Sequence, residues 1–195
     1  MKLLAVDEAR ARMLEGVAAL PAETASLDQC AGRVLADAVI ASRDQPPFAS
    51  SAMDGWAVRR ADARDAQADL EIIGESAAGR GFHGVVGAGQ AVRIFTGAAL
   101  PADADAVVIQ ENAERIGERV RLGPLADNPD HIRPRGGDFH AGDKLIEPGR
   151  RLDAWRLSLA AAAGFAALPV ARRPRVALLC TGEELVRAPA QPGPF

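Results

Sequence analysis

The sequence predicts an α+β fold: a small α/β domain, an inserted β-rich domain of short curved strands, and the first strand of a truncated α/β domain. Three observations predict it. Apolar residues recur at helical spacing near the start of the chain and again over 154–163. Between those runs lie short alternating segments punctuated by Gly and Pro, a strand pattern. Further on, Val176-Ala-Leu-Leu-Cys180 is apolar throughout, as a parallel strand buried on both faces is.

In chain order, Val6, Ala9, Met13, Val17 and Leu20 recur every three or four residues, with Glu8, Arg10, Arg12 and Glu15 on the other side. That spacing predicts an amphipathic helix, with Asp7 as N-cap and Pro21 as stop. Such a helix is marginal alone and needs a surface to dock on. Glu23–Leu27 reads as a short strand, Asp28–Gly32 as a helical turn closed by Gly, and Arg33–Ala41 as a strand-like run. Arg60–Asp69 is polar and reads as an exposed loop, and Leu70–Gly74 as a strand. Gly79, Gly81, Gly84, Gly87 and Gly89 read as turns between strands. No helix-forming run follows them and no Lys-Ser/Thr closes them, so they are not a phosphate-binding loop.

Val92, Ile94 and Thr96 fall on one face of the next strand, with Arg93 and Phe95 on the other. Asp103 and Asp105 precede a strand with no further ligand nearby and read as turn and cap residues, not a metal pair. Arg115–Leu122 alternates around Gly117-Glu118 as a hairpin. Asp153 caps a helix over 154–163 that Gly164 ends, and Phe165–Val170 reads as a strand. The run 176–180 would deliver Thr181-Gly-Glu-Glu-Leu185 to the carboxyl end of a sheet, where open α/β folds bind ligands. A parallel strand without its crossover helix and partners cannot form a domain. The expectation is an N-terminal piece of a longer protein.

Composition excludes several function classes. With 48% apolar and 25% charged residues, the 195-residue chain has a soluble globular balance and enough length for a real core. A net charge of −3 offers no electrostatic case for nucleic acid or an anionic membrane, and Arg172-Arg-Pro-Arg175 is too short to change that. No apolar run reaches membrane-spanning length, and Asp7 and Glu8 interrupt anything resembling a secretory leader. Cys30 and Cys180 are solitary, without metal spacing. A cytoplasmic protein is expected.

The chemistry concentrates in Pro46–Arg59, Pro-Pro-Phe-Ala-Ser-Ser-Ala-Met-Asp-Gly-Trp-Ala-Val-Arg. Paired prolines stiffen the entry. Asp54-Gly55 reads as a turn dipeptide, placing a carboxylate at the tip of a loop anchored by Phe48 and Met53 on one side and Trp56 on the other. An Asp-Gly turn is also common as plain structure, an ordinary hairpin whose Asp only shapes the bend. His131-Ile-Arg-Pro-Arg-Gly-Gly-Asp138 gathers arginines and a carboxylate around a Gly-Gly bend. It suits either a surface salt-bridge knot or an anion and metal pocket.

These stretches resemble one family. Pro46–Ala57 resembles Pro-Pro-Phe-(Asp)-x-Ser-Ala-Met-Asp-Gly-(Tyr/Trp)-Ala of the molybdopterin molybdenumtransferases, MoeA, whose relatives include the E domain of gephyrin; Ala49 departs from the usual Asp. Ile94–Glu111 resembles the family's Ile-Met-Thr-Gly-Ala-x-Leu-Pro-x-Gly-Ala-Asp-Ala-Val-Val-x-x-Glu, with Phe95 and Asp103 as departures. Arg133, Gly136 and Asp138 match a third motif, and Thr181–Leu185 resembles Ser-Thr-Gly-(Asp/Asn)-Glu-Leu at the doorway to the pterin-binding domain. The resemblance covers essentially the whole chain but about half of a family member.

The resemblance implies molybdenum cofactor biosynthesis: insertion of molybdate into adenylylated molybdopterin, releasing AMP. On that analogy Asp54, Asp138 and Glu184 hold Mg²⁺ or position the nucleophile, and Thr96 bonds a phosphate or a metal-bound water; Thr96 and Glu184 also fall to the cofactor-binding set. A homodimer with the site shared between subunits is implied, with a molybdopterin adenylyltransferase as upstream partner and neither nucleic acid nor membrane involved. The implied domains are 22–45 with 140–170, an inserted 46–139, an N-terminal helix (1–21) packing on the later domain, and 171–195 as linker and start of a truncated molybdopterin-binding domain. This piece alone is expected to turn over no substrate. The rivals are a non-catalytic dimerisation or scaffold module of the gephyrin-E type and a structural domain without chemistry.

Overall fold

The computed structural model describes residues 4–64, 67–123, 131–182 and 185–191. Its elements are α1 (Val6–Leu14), β1 (Ala22–Ser26), β2 (Val39–Ile40), β3 (Ser50–Ser51), β4 (Gly55–Val58), β5 (Asp69–Ser76), β6 (Gln90–Ile94), β7 (Ala106–Ile109), β8 (Ala113–Ile116), β9 (Arg119–Leu122), β10 (Ile132–Arg133), β11 (Lys144–Ile146), α2 (Ala154–Ala162) and β12 (Ala167–Ala171). Short 3₁₀ turns lie at Leu27–Gln29, Arg60–Ala63 and Gln110–Asn112. The α+β class is as the sequence predicts.

One body of apolar side chains joins the early and late parts of the chain. β1 pairs antiparallel with β12, and β2 with β11. Cys30, Leu35, Val39, Ile146, Leu152, Ala160, Leu168 and Val170 are buried together there. Asp153 accepts a hydrogen bond from the Arg156 amide at 2.9 Å and so caps α2 as expected. The predicted strand over 33–41 shrinks to Val39–Ile40. Successive amides there turn to different neighbours, Leu35 N–H to Arg150 and Ala36 N–H to Pro169, which no single ladder allows.

The second body is a six-stranded sheet in the order β7-β4-β6-β5-β9-β8, in which β5 and β6 form the parallel pair. Both faces are covered. Trp56, Val58, Leu70, Val108, Val120 and Leu122 pack on one side, and Ala57, Val86, Val92, Ile94 and Val107 on the other. Every residue of β4 is therefore buried. The β8–β9 hairpin around Gly117 matches the sequence reading. Arg60–Ala63 is not a plain exposed loop: Ala63 is buried, and the Asp105 carboxylate, 45 residues on, accepts from the Arg60 amide at 2.5 Å.

The chain crosses between the bodies near Gln45 and returns near Phe139. Gln45 N–H donates to Phe139 O (2.9 Å), Asp138 N–H to Gln45 O (2.8 Å) and Gly136 N–H to Pro46 O (2.9 Å), so the two crossings are zipped together.

Both ends depart from expectation. The first helix stops at Leu14, not near Pro21: Glu15 is already extended (φ −60°, ψ 124°), and Gly16 at φ +78° completes a turn closed by Val17 N–H to Leu14 O at 3.1 Å. Asp7 lies inside the first turn; the N-cap is Ala5, without a side-chain bond. No residue of α1 is buried; Val6 and Met13 are 83% and 80% exposed. The run 176–180 is not a strand. Among the described residues no strand lies beside it to accept its backbone bonds, and Leu178 and Leu179 are 90% and 89% exposed.

Candidate functional site

Asp54 sits at the entry to β4, the strand held between β7 and β6. No hairpin closes on Asp54-Gly55: β3 before it pairs with β10, not with β4. Gly55 is required for a different reason than a turn. It stands opposite Ile109 in β7, and a Cβ on it would lie 2.0 Å from the carbonyl oxygen of Val108. Of the three predicted anchors only Trp56 is buried; Phe48 and Met53 are 45% and 39% exposed. The loop is held by hydrogen bonds instead. Buried Ser51 donates through Oγ to Met53 O at 2.6 Å, Gly97 N–H donates to Ser51 O at 2.8 Å, and Ala52 N–H donates to His131 O at 2.7 Å.

Thr96 lies just past the end of β6, beside Asp54. Its amide and its hydroxyl both donate to Asp54 Oδ1, each at 2.8 Å. Oδ2 accepts no hydrogen bond among the described residues. The Asp54 carbonyl accepts from Gln110 N–H at 3.0 Å, which ties the same residue to the end of β7. The Thr96 amide, then its hydroxyl, then the nearby Arg93 charge hold the Asp54 carboxyl below its ordinary range, so it is ionised at neutral pH. The pair joins two sequence motifs at one end of the two central strands β4 and β6.

Arg93, which the sequence reading places only on a strand face, lies at the same end of β6. Its Nη1 donates to Gly55 O at 3.2 Å and its Nη2 to Gln110 Oε1 at 2.7 Å. Its Cζ lies 5.4 Å from the Trp56 ring centre and 4.8 Å from that of Phe95. The signal in the sequence was an arginine flanked across the sheet by Trp and along it by Phe.

Asp138 takes another place. Arg133 Nη2 donates to Asp138 Oδ1 at 2.7 Å, both side chains about half exposed, and Arg133 pairs in register with Ser50 of β3. That puts the Arg133–Asp138 pair beside the strand that leads to Asp54, without contact between Asp138 and the Asp54–Thr96 pair among the described residues. The neighbouring cluster is a salt-bridge knot. Its centre is Asp44, which the sequence reading passed over: it accepts from the Ala141 amide at 2.9 Å and from Arg135 Nε at 2.5 Å, with His140 Nδ1 at 3.7 Å. The Ala141 amide first, then Arg135, hold the Asp44 carboxyl below its ordinary range.

Glu184, the third predicted carboxylate, lies outside the described residues. Among the described residues no group of three or more His, Cys, Asp or Glu side chains stands ready to enclose a metal. The donor chemistry at Asp54 still fits Mg²⁺. It offers an ionised, half-exposed carboxylate with one oxygen uncommitted, and Mg²⁺ keeps waters and takes one or two carboxylates together with substrate phosphate. Asp103 adopts φ +62°, a turn position, as expected. Among the described residues no helix is long and apolar enough to cross a membrane.

Comparisons with known proteins bear on this arrangement. Residues 4–164 match the family profile described as "MoeA N-terminal region (domain I and II)". A molybdopterin molybdenumtransferase of Nostoc sp. is 38% identical over 168 residues, 83% of this chain and 38% of that protein. The Haemophilus influenzae protein of the same name is 36% identical over 196 residues, 98% of this chain and 48% of its own length. A crystal structure of the molybdopterin biosynthesis MoeA protein from Pyrococcus horikoshii superposes with a TM-score of 0.84 at 30% identity, covering 97% of this chain and 52% of that one. The chain spans less than half the length of these curated relatives. It belongs to the MoeA family, matching that family's N-terminal region.

Proposed function

We propose that this chain is the N-terminal part of a molybdopterin molybdenumtransferase of molybdenum cofactor biosynthesis, which inserts molybdate into adenylylated molybdopterin and releases AMP. The observation that carries the reading is the Asp54–Thr96 pair, an ionised carboxylate locked by two bonds to a threonine just past the end of a central strand, in a chain whose relatives bear that enzyme name. A carboxylate held by its Oδ1 presents Oδ2 in a fixed place without a reorganisation cost at the moment of reaction. Asp54 would hold Mg²⁺ through that oxygen, with Asp138 and Glu184 as further candidates. When bound, Mg²⁺ shields phosphate charge and polarises the bond to be cleaved. The Thr96 hydroxyl, which donates to Asp54, keeps its lone pairs for a water or a phosphate-bound proton donor.

The same reading makes the active unit a cytoplasmic homodimer whose site is shared between subunits, supplied by a molybdopterin adenylyltransferase. The test is AMP release from adenylylated molybdopterin by the full-length protein, with and without Mg²⁺ and molybdate. Asp54→Asn keeps the acceptor for Thr96 and removes the charge, and is expected to lower the rate by about 100-fold or more. Full activity of that variant would remove Asp54 from the reaction.

A further inference from the structure

We infer that Arg93 is the positioning residue of the Asp54–Thr96 pair: its guanidinium fork joins the backbone after Asp54 to the turn that holds Asp54 from behind. The inference rests on the proposed reading only for its catalytic consequence.

The contacts form a closed circuit. Asp54 O accepts from Gln110 N–H (3.0 Å), the Gln110 side chain accepts from Arg93 Nη2 (2.7 Å), and Arg93 Nη1 donates to Gly55 O (3.2 Å). From Arg93 the strand continues through Ile94 and Phe95 to Thr96, whose amide and hydroxyl return to Asp54 Oδ1. Three segments that carry the pair, β4, the end of β6 and the Gln110 turn, are thus joined by one side chain. The guanidinium is also fixed in orientation, packed against Trp56, which follows Gly55, and Phe95, which precedes Thr96. Trp56 is itself buried, so core packing holds the plane that Arg93 rests on.

A planar fork with two donors is needed for this. A lysine ammonium carries the charge but presents donors from a single atom on a flexible stem, and cannot span Gly55 O and Gln110 Oε1 in the same geometry. No contact of Arg93 reaches the uncommitted Oδ2 of Asp54. Arg93 also contributes, after the two Thr96 bonds, to the lowered Asp54 carboxyl, a charge effect that Arg93→Lys keeps; what the lysine loses is placement, and misplacement of a reacting group by about 1 Å costs on the order of 100-fold in rate.

The test uses Arg93→Lys and Arg93→Gln in the full-length protein, with two readouts. The first is amide hydrogen exchange at Thr96 and Gln110, with the bonded amides of Val86 and Leu122 in the same body as controls. Both variants are expected to speed Thr96 and Gln110 exchange by about 10-fold while the controls hold. The second is the kcat against KM split for AMP release: kcat falls about 10- to 100-fold with KM little changed. Wild-type exchange at Thr96 and Gln110 in Arg93→Lys, or an equal rise at all four amides, overturns the assignment. If the wild-type protein itself releases no AMP, the proposed reaction fails, and the exchange pattern decides the role of Arg93 by itself.

Discussion

Asp54 Oδ1 accepts from both donors of Thr96, amide and hydroxyl, at 2.8 Å each. Residues 42 positions apart are thereby fixed as one unit. The amide contribution is beyond the reach of substitution, but the hydroxyl is not. Thr96→Ala removes one of the two bonds and is expected to raise the Asp54 carboxyl toward its ordinary range while leaving it depressed by the amide and Arg93. Thr96→Ser retains both donors and the wild-type titration. Carboxyl carbon NMR on Asp54 reads this directly, and an unchanged curve in Thr96→Ala would show that the hydroxyl bond is not formed in solution.

Gly55 makes a sharper mechanical prediction. A Cβ at this position meets the Val108 carbonyl at 2.0 Å, and backbone cannot step aside as a flexible side chain can. Gly55→Ala must push β7 away from β4 along the row that pairs Gly55 with Ile109 and Trp56 with Val108. The expected cost is about 3 kcal/mol or more, at the upper end for overpacking. Urea denaturation measures it, and a loss under about 1 kcal/mol would mean that the two strands are further apart than described.

The two bodies of apolar side chains lead to a domain assignment that we propose: 22–45 with 140–170 around one core, and 46–139 around the other, with Phe139 at the boundary packed in the first. Leu168 is fully buried in the first and shares no cluster with the sheet. Leu168→Ala is expected to cost roughly 2–5 kcal/mol through lost transfer energy and the cavity left behind. Hydrogen exchange should then accelerate in β1, β11 and β12 while β4, β6 and β9 keep their protection. Uniform acceleration would show one cooperative unit instead.

What was legible in the sequence depended on how far apart the interacting residues lie. Asp153 and its α2 amide are three residues apart, and the cap was readable from local chemistry alone. The Gly117 hairpin was readable in the same way. Asp54 and Thr96 were singled out separately by family motifs, but their contact is a tertiary fact set by the β4–β6 register. Arg93 was missed because a single Arg in a strand points outward by default. Only the pairing of Trp56 with Arg93 across the sheet shows the ring it packs on. Asp44 was missed because its partners Arg135 and Ala141 come 91 and 97 residues later. The Asp-Gly dipeptide misled for a physical reason: glycine serves a close strand approach as readily as a turn. Val176–Cys180 is apolar as a buried parallel strand is, but a strand also needs neighbours for its backbone, and the described residues place none there.

Acid lability follows from three carboxylates that share a direction. Asp44, Asp54 and Asp153 are each held below the ordinary Asp range, chiefly by amides of Ala141, Thr96 and Arg156. In the folded state they release protons that the unfolded chain still binds near the ordinary value of about 3.9. Their contribution to stability is therefore complete above that value and is lost as pH falls from it through the lowered folded values. Asp44 is the informative one to alter, because it bonds Arg135 and Ala141 across the paired crossings between the two bodies. In Asp44→Asn the amide oxygen still accepts from Ala141 N–H, but nothing titrates and the Arg135 charge loses its partner. The variant is expected to be less stable than wild type at pH 7 and to approach it as pH falls below about 4. Urea midpoints at pH 7 and pH 3 measure the convergence; parallel curves for the two proteins across that window would mean that Asp44 does not carry its depressed ionisation into the folded state.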